Sequence, residues 1–384
     1  MDPNTTPRYT LLEVEKELGV LFFEREEEIR GLICALLCGE HVLLLGPPGA
    51  AKSELAQELC SRTSGAPYFR VQLTRTSTPE ELFGPISLKA LEQDSYRRKT
   101  TGMLPEAKVA FIDEVFKANS AVLNGLLSVL NERIYFNDGE ARAVPLEMAV
   151  AASNELPASE AREELEALWD RFLLRYLVSY LKEERSFEAL MLRNGARGGE
   201  DKTVLSEEAL KKAREEAAVV DASGVVPQLL ALRRELSEAG IVASDRRYKK
   251  CLSLLKAHAF LEGRKKATDD DLSVLAHALW SDPSQLRDVR KAVMERENPH
   301  LHRAQDLLDE ASEVHKQAMN APEEEQTNKG QEANAKLKGI TNRLLSLRSE
   351  AEKEGRPPER IDEVLKAVAT MNREVVARCL GITM

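Results

Sequence analysis

A chain of 384 residues can bury a sizeable core and has room for two or three domains; at 43% hydrophobic, 31% charged and only 5% aromatic, it reads as a helix-rich globular protein and not a disordered one. The formal net charge of -10 argues against a surface built mainly to hold nucleic acid, and five cysteines without CxxC spacing (Cys34, Cys38, Cys60, Cys251, Cys379) argue against a disulfide framework or a zinc site. No run approaches the roughly 18 apolar residues of a spanning helix, and Met1-Asp2-Pro3 opens no basic-then-apolar leader, so the expected location is cytoplasmic.

In chain order, residues 26 to 38 place Ile29, Leu32, Ile33, Leu36 and Leu37 at helical spacing, closed by Gly39. His41 to Leu45 (HVLLL) reads as a buried strand that runs straight into Gly46-Pro47-Pro48-Gly49-Ala50-Ala51-Lys52-Ser53 and then a helix from Glu54 to Cys60. Further strands are expected at Phe69–Leu73, Val109–Ile112, Met148–Ala152 and Arg175–Val178, with a helix over Ser120–Asn131 and a hairpin turning at Asn137-Asp138-Gly139 within 133 to 147. Strands alternating with helices predict an α/β fold with a mostly parallel sheet. From about residue 180 the strand signals stop, and helices are expected at Ser206–Ala218, Pro227–Glu238, Asp245–Gly263 and Thr268–Leu279. Three long amphipathic stretches follow, Leu301–Met319, Glu325–Gly355 and Pro358–Leu380, broken at Ala321-Pro322 and Gly355-Arg356-Pro357-Pro358, the pattern of a three-helix bundle. The expected domains are thus 1-183 (α/β), 184-297 (all-α lid) and 298-384 (bundle). His300 and His302 form an HxH without an acid or cysteine at ligand spacing and are expected on a solvated face.

The chemistry gathers at strand ends. The octet from Gly46 to Ser53 is a phosphate-binding loop in the required strand-loop-helix context. Its backbone N–H groups turn around phosphates, Lys52 neutralises the terminal ones, and Ser53 completes a Mg²⁺ shell. Gly46, Pro47, Pro48, Gly49, Ala50, Ala51, Lys52, Ser53 and Glu54, with Asp113, are therefore the expected ATP-contacting set; Ala51 stands where the general pattern has its second glycine. About sixty residues on, Val109-Ala110-Phe111-Ile112-Asp113-Glu114 is an apolar strand ending in two carboxylates. It matches a Walker B strand, in which Asp113 holds Mg²⁺ with Ser53 and Glu114 activates the attacking water. Asn154, after the Met148–Ala152 strand, fits a sensor of γ-phosphate and water. Arg171 in Trp169-Asp170-Arg171-Phe172 fits an arginine directed at a neighbour's nucleotide, with Arg175 its rival, and implies an oligomer. Arg246 in Ser244-Asp245-Arg246-Arg247, with Arg247 as runner-up, would report nucleotide state to the helical domain.

The set GPPGAAKS, VAFIDE, ASN, DRF and SDRR, in this order and at these separations, resembles the MoxR family of AAA+ ATPases, and most its RavA branch, over roughly residues 20 to 280. The likeness extends to Thr78–Pro85, Leu104–Ala107, Asn131–Arg133 and Ala151–Pro157. RavA-like proteins also carry alanine before the Walker lysine. The resemblance implies an AAA+ P-loop fold and a hexameric ring with a von Willebrand factor A (VWA) partner and a protein client. It also implies an insertion in helix 2 at 78 to 105 and a pre-sensor hairpin at 133 to 147, both facing a central pore. The β-rich insertion that interrupts the three-helix domain of RavA-like proteins has no room near Ala321. The expected function is Mg-ATP-driven remodelling of protein clients. A nucleic-acid motor would need basic pore loops, for which Arg97-Arg98-Lys99 speaks and Asn137-Asp138-Gly139-Glu140 does not; a slow nucleotide switch docking a partner is the third reading.

Overall fold

The computed structural model describes residues 6–64, 68–156, 162–193, 202–319, 323–353 and 358–380. In chain order these form α1 (Pro7–Leu21), α2 (Glu26–Cys38), β1 (His41–Leu45), α3 (Lys52–Ser61), β2 (Thr63–Ser64), β3 (Tyr68–Gln72), α4 (Pro79–Phe83), α5 (Leu88–Leu91), β4 (Val109–Asp113), α6 (Ser120–Glu132), β5 (Ile134–Asn137), β6 (Glu140–Ala143), β7 (Met148–Ser153), α7 (Arg162–Trp169), β8 (Phe172–Leu177), α8 (Glu184–Leu192), β9 (Leu205–Ser206), α9 (Glu207–Ala218), α10 (Val226–Glu238), α11 (Asp245–Leu261), α12 (Leu286–Glu297), α13 (Pro299–Met319), α14 (Glu323–Lys353) and α15 (Glu359–Leu380). The packing divides into two compact units that meet between Leu286 and Arg287.

The first unit is built on a five-stranded, all-parallel sheet in the order β3-β4-β7-β1-β8. Strands β1, β4, β7 and β8 are buried nearly throughout, which explains why they read as continuous apolar runs; edge strand β3 alternates and carries Arg70. Because every strand runs the same way, the loops after β1, β4 and β7 meet at one edge of the sheet, and the segment before β8 lies at the opposite edge. Residues 120 to 153 match expectation: Asn119 caps α6 by accepting from Val122 N, and β5 and β6 pair around Asp138 and Gly139, at φ 59° and 76°, as a two-residue hairpin turn requires.

Three expectations about the first unit are corrected. Strand β8 begins at Phe172, ahead of the Arg175 start read from the sequence, because a buried arginine interrupts its apolar run. Strand pairing does not stop at residue 180, since β9 pairs parallel with β2; two residues are too short to give a periodic signal. The segment Asp269–His277 is 3₁₀ and not α-helical, started by a Thr268 capping box in which Asp271 is buried and bound by Arg264 and His258. Helices α8 and α12 were not expected from the sequence.

The second unit, from Arg287 on, holds most of α12 and the three-helix bundle of α13, α14 and α15. Its core follows a heptad in α14 (Ala333, Leu337, Ile340, Leu344, Leu347, Ala351), met by Ala304, Leu307, Ala311 and Ala318 of α13 and by Ile361, Val364, Val368 and Val375 of α15. The breaks expected at Ala321-Pro322 and Gly355-Arg356-Pro357 lie outside the described residues. His300 and His302 do not form a solvated face: His300 is buried, and His302 Nε2 pairs with Glu295 Oε1 at 2.9 Å.

Glycines in α1 and α2 give a contrast in packing. A Cβ at Gly31 would stand 1.6 Å from Tyr176 Oη, whereas at Gly19 nothing lies within 4 Å. Gly31→Ala is expected to lower the unfolding free energy by about 2 kcal/mol, and Gly19→Ala to raise it by roughly 0.5 kcal/mol, both read from urea denaturation.

Candidate functional site

The carboxyl edge of the sheet gathers the expected nucleotide residues. Gly46 follows β1 so closely against the β8 exit that a Cβ there would stand 1.9 Å from Val178 O, so only glycine fits. Gly49 has φ 80° and open space beside it. Ala51 takes the left-handed conformation, φ 62°, that the missing glycine would have supplied, at a cost of about 1 kcal/mol. The loop thus keeps its shape and holds the alanine under strain.

Lys52 opens α3 with its side chain buried, and its ammonium donates to Gly46 O at 2.6 Å, Pro47 O at 2.8 Å and Asn154 Oδ1 at 2.8 Å. Burial lowers its pKa, opposed by the negative charges of Asp113 and Glu114. Beside it Ser53 Oγ donates to Asp113 Oδ2 at 3.1 Å, and Asp113 Oδ1 accepts from Glu114 N at 3.0 Å. Glu114 is buried with φ 53°, a second strained residue at the site. Its Oε1 accepts from Asn154 Nδ2, while Oε2 has no hydrogen-bond donor among the described residues, Lys117 Nζ standing 3.5 Å away. Five side chains from three loops therefore form one network: Lys52 and Ser53, Asp113 and Glu114, and Asn154.

The residues fit Mg²⁺ and a polyphosphate. Ser53 and Asp113 offer hard oxygens side by side, the cation beside them is fixed by carbonyls, and among the described residues no group of three or more His, Cys, Asp or Glu side chains forms an alternative metal cage. A cleft of about 870 Å³ opens next to the loop, lined by Gly49, Ala50, Ala51, Phe22, Phe23, Tyr180, Phe187 and Leu190 among others, with Glu54 on its wall. These apolar walls come mainly from α8 and from the turn after α1, and sequence reasoning missed them because they carry no motif.

Arg171 and Arg246 are not brought to this network. His41 pairs with Phe172 at the start of β8, five residues before Gly46, so the Arg171 turn lies roughly 16 Å from the loop along the strand direction. Arg246 is exposed, donates to Asn131 Oδ1, and shares a small basic recess with Asp170, Arg171, Arg247 and Lys250. The Nε of Arg171 has no partner among the described residues. Both rivals are structural. Arg175 is fully buried over the Trp169 ring at 4.9 Å and donates to Trp169 O and Trp280 O. Arg247 is buried and donates to Asp170 O and Oδ1, Phe172 O, Leu173 O and Ala278 O, tying α11 to the turn that carries Arg171.

The segment 78 to 106 and the hairpin pack on each other. Asn137, buried at the hairpin end, exchanges bonds with the backbone of Arg98; Asp138 accepts from Ser95 Oγ and Tyr96 N. Arg97 pairs with Asp138 and Glu140, and Arg98 with Glu80 at 2.8 Å. Two of the three basic residues at 97 to 99 are thereby neutralised within the chain.

Comparisons with known proteins bear on the family and the fold. Residues 9–219 match a family described as the MoxR domain in the MoxR-vWA-beta-propeller ternary systems, and residues 224–293 match an AAA lid domain. An uncharacterized protein of Methanocaldococcus jannaschii is 37% identical over 374 residues, 95% of this chain and 98% of its own length. Protein MoxR of Paracoccus denitrificans is 29% identical over 170 residues, 43% of this chain and 49% of its own. A crystal structure of a candidate ATPase from Cytophaga hutchinsonii superimposes with a TM-score of 0.61 at 20% identity, covering 76% of this chain and 95% of that one, a likeness of fold.

Arg247→Ala is expected to cost about 3 kcal/mol of stability because it strands several buried carbonyls, whereas Arg246→Ala stays within about 0.5 kcal/mol; chemical denaturation separates them. The Arg98 hydrogen bond, first among its causes, holds the Glu80 carboxyl down at about 2. A depressed carboxylate contributes fully above its unfolded value and loses that contribution as pH falls through the folded one. An NMR titration should therefore give a Glu80 midpoint near 2, returning toward the ordinary glutamate range in Arg98→Ala.

Proposed function

Because this chain belongs to the MoxR family of AAA+ ATPases, we propose that it binds Mg-ATP at the carboxyl edge of its sheet and hydrolyses it in a ring of identical copies, to remodel or activate protein clients. The observation that carries the reading is the five-residue network of Lys52, Ser53, Asp113, Glu114 and Asn154. Ser53 and Asp113 would hold Mg²⁺, which, when bound, neutralises charge on the phosphates. Lys52 is free to exchange the carbonyls of Gly46 and Pro47 for phosphate oxygens without moving its stem. Glu114 Oε2 is the acceptor left over to orient the attacking water and take its proton, with Asn154 fixing the carboxylate through Oε1. The nucleoside would lie in the cleft walled by Phe22, Phe23, Phe187 and Leu190.

Arg171, with Arg246 beside it, would act on the nucleotide of a neighbouring copy, since the strand register keeps both from their own loop. A VWA-domain partner is supported by the description of the matched family. The domain division at 183 and 297, the cytoplasmic location and the pore-facing role of the segments at 78 to 105 and 133 to 147 remain part of the same proposal. The internal pairing of Arg97 and Arg98 weighs against a nucleic-acid motor.

Glu114→Gln and Arg171→Ala should each lower kcat by on the order of 10² or more while Mg-ATP binding persists. Mixing the two inactive variants should restore part of the activity, because an intact Glu114 then meets a neighbour's intact Arg171. Absence of recovery in assembled mixtures would place Arg171 outside the reaction.

A further inference from the structure

Among the described residues, no side chain of helix α8 is buried; Phe187 and Leu190, which wall the cleft, are themselves 55% and 43% exposed. Two recesses border the helix, the cleft and a groove lined by Lys16, Gly19, Val20 and Leu192, with Phe23 and Arg193 lining both. A helix without a buried face is not placed by packing. Something else has to set where its two wall residues stand.

Polar bonds at its two ends do so. At the amino end the Glu24 carboxylate accepts from the backbone N–H of Lys182 at 2.9 Å and of Glu183 at 3.0 Å, and from the Ser186 hydroxyl. Negative charge there also complements the helix dipole. At the carboxyl end Arg193 reaches back to Leu21 O at 2.7 Å. Both anchors belong to the exit of α1: Leu21 is its last residue, and Glu24 follows Phe22 and Phe23, which line the cleft. The next residue, buried Arg25, donates to Ser179 O, and Tyr180 Oη donates to Pro48 O at 3.0 Å. Residues 179 to 183 are thus bonded to the phosphate loop at one end and to the α1 exit at the other.

Glu24 stands at φ 57°, a conformation in which glycine would be unstrained. A glutamate kept against that backbone preference is explained by what its carboxylate holds. The Glu183 and Lys182 N–H groups, in that order, draw the carboxyl below the ordinary glutamate range, so the ionised form is the one that binds.

We infer that Glu24 is a positioning residue of the nucleotide site: with Arg193 it clips α8 to the exit of α1, in the place where Phe187 and Leu190 wall the nucleoside. This role rests on the Mg-ATP reading above and deepens it. The site then has a phosphate part, built by the loop, and a nucleoside part whose wall is held by two clips. Without the Glu24 clip, α8 spends only a fraction of its time in position, and affinity for the nucleoside falls with that fraction. Phosphate binding needs none of α8 and keeps its strength.

Glu24→Gly removes the carboxylate and relieves the backbone, so it separates holding α8 from holding the fold. Isothermal titration calorimetry of the full chain compares Mg-ATP with magnesium tripolyphosphate, which lacks a nucleoside. ATP affinity should be about tenfold weaker in the variant and tripolyphosphate affinity within about twofold of wild type, at an unchanged urea midpoint. Glu24→Gln, which keeps one acceptor, should lie between, and Arg193→Ala should repeat the pattern from the other end of the helix. ATP affinity unchanged in Glu24→Gly, or, if that variant does not fold, in Glu24→Gln and Arg193→Ala alike, overturns the inference. So does an equal loss for ATP and tripolyphosphate, the mark of a merely structural role. Wild-type protein that binds tripolyphosphate as tightly as ATP also overturns it, since no nucleoside contact is then there to lose. Wild-type protein that binds neither overturns the reading of the site itself, a result distinguishable from the others.

Discussion

The buried ammonium of Lys52 is the constraint around which the rest of the first unit is arranged. A buried charge is tolerated only when its donors are all satisfied, and here the acceptors are Gly46 O, Pro47 O and Asn154 Oδ1. Two of them belong to the loop after β1, and the third to the end of β7, the neighbouring strand. Holding that lysine therefore fixes the loop against the sheet, fixes Asn154, and through Asn154 fixes Glu114. The strain at Ala51 and Glu114, both left-handed, persists because this network over-determines their backbones.

Parallel topology then sorts the functional groups by edge. The groups proposed to bind phosphate and activate water occupy the carboxyl edge because each follows a strand; Arg171 precedes one and is carried to the other. The fixing of Arg171 is unusually thorough. Trp169 O is bound by Arg175, and Asp170 is gripped through its backbone and side chain by Arg247, so the turn between them moves with the helical elements that supply Arg247 and Trp280. Arg171 and Arg246 are thus presented as a pair from one rigid corner, and nucleotide-dependent motion of the lid helices would displace both together.

Charge tells the same story on the segments that flank the site. The chain is acidic overall, and its local basic run at 97 to 99 is largely spent on Asp138, Glu140 and Glu80. The neighbouring surface also leaves Leu88, Leu91, Tyr96 and Phe136 exposed, among charges of both signs that include Lys89, Glu92, Asp94 and Lys99. The surface thus carries no uninterrupted basic stripe of the kind that tracks a phosphate backbone.

The sequence by itself determined the five strands of the main sheet, apart from where β8 begins, together with the phosphate-loop motif, the paired carboxylates, the hairpin and the bundle, because each is encoded over a few neighbouring residues. Buried parallel strands are continuous apolar runs, Asp-Gly sets the hairpin turn, and a heptad repeats along a single helix. It also ranked Arg171 and Arg246 ahead of Arg175 and Arg247 but could not say why. That depended on which guanidinium groups find carbonyls to bind when β8, α11 and the 3₁₀ segment come together, residues as much as 105 positions apart in the chain. The apolar cleft beside the loop was illegible for the same reason: Phe22, Phe23 and Phe187 become one wall only when the turn after α1 and helix α8 close on the loop. Local chemistry is written in spacing, whereas burial and reach are properties of the packed molecule, and tertiary structure alone decided that Arg175 and Arg247 are buried staples while Arg246 stays exposed.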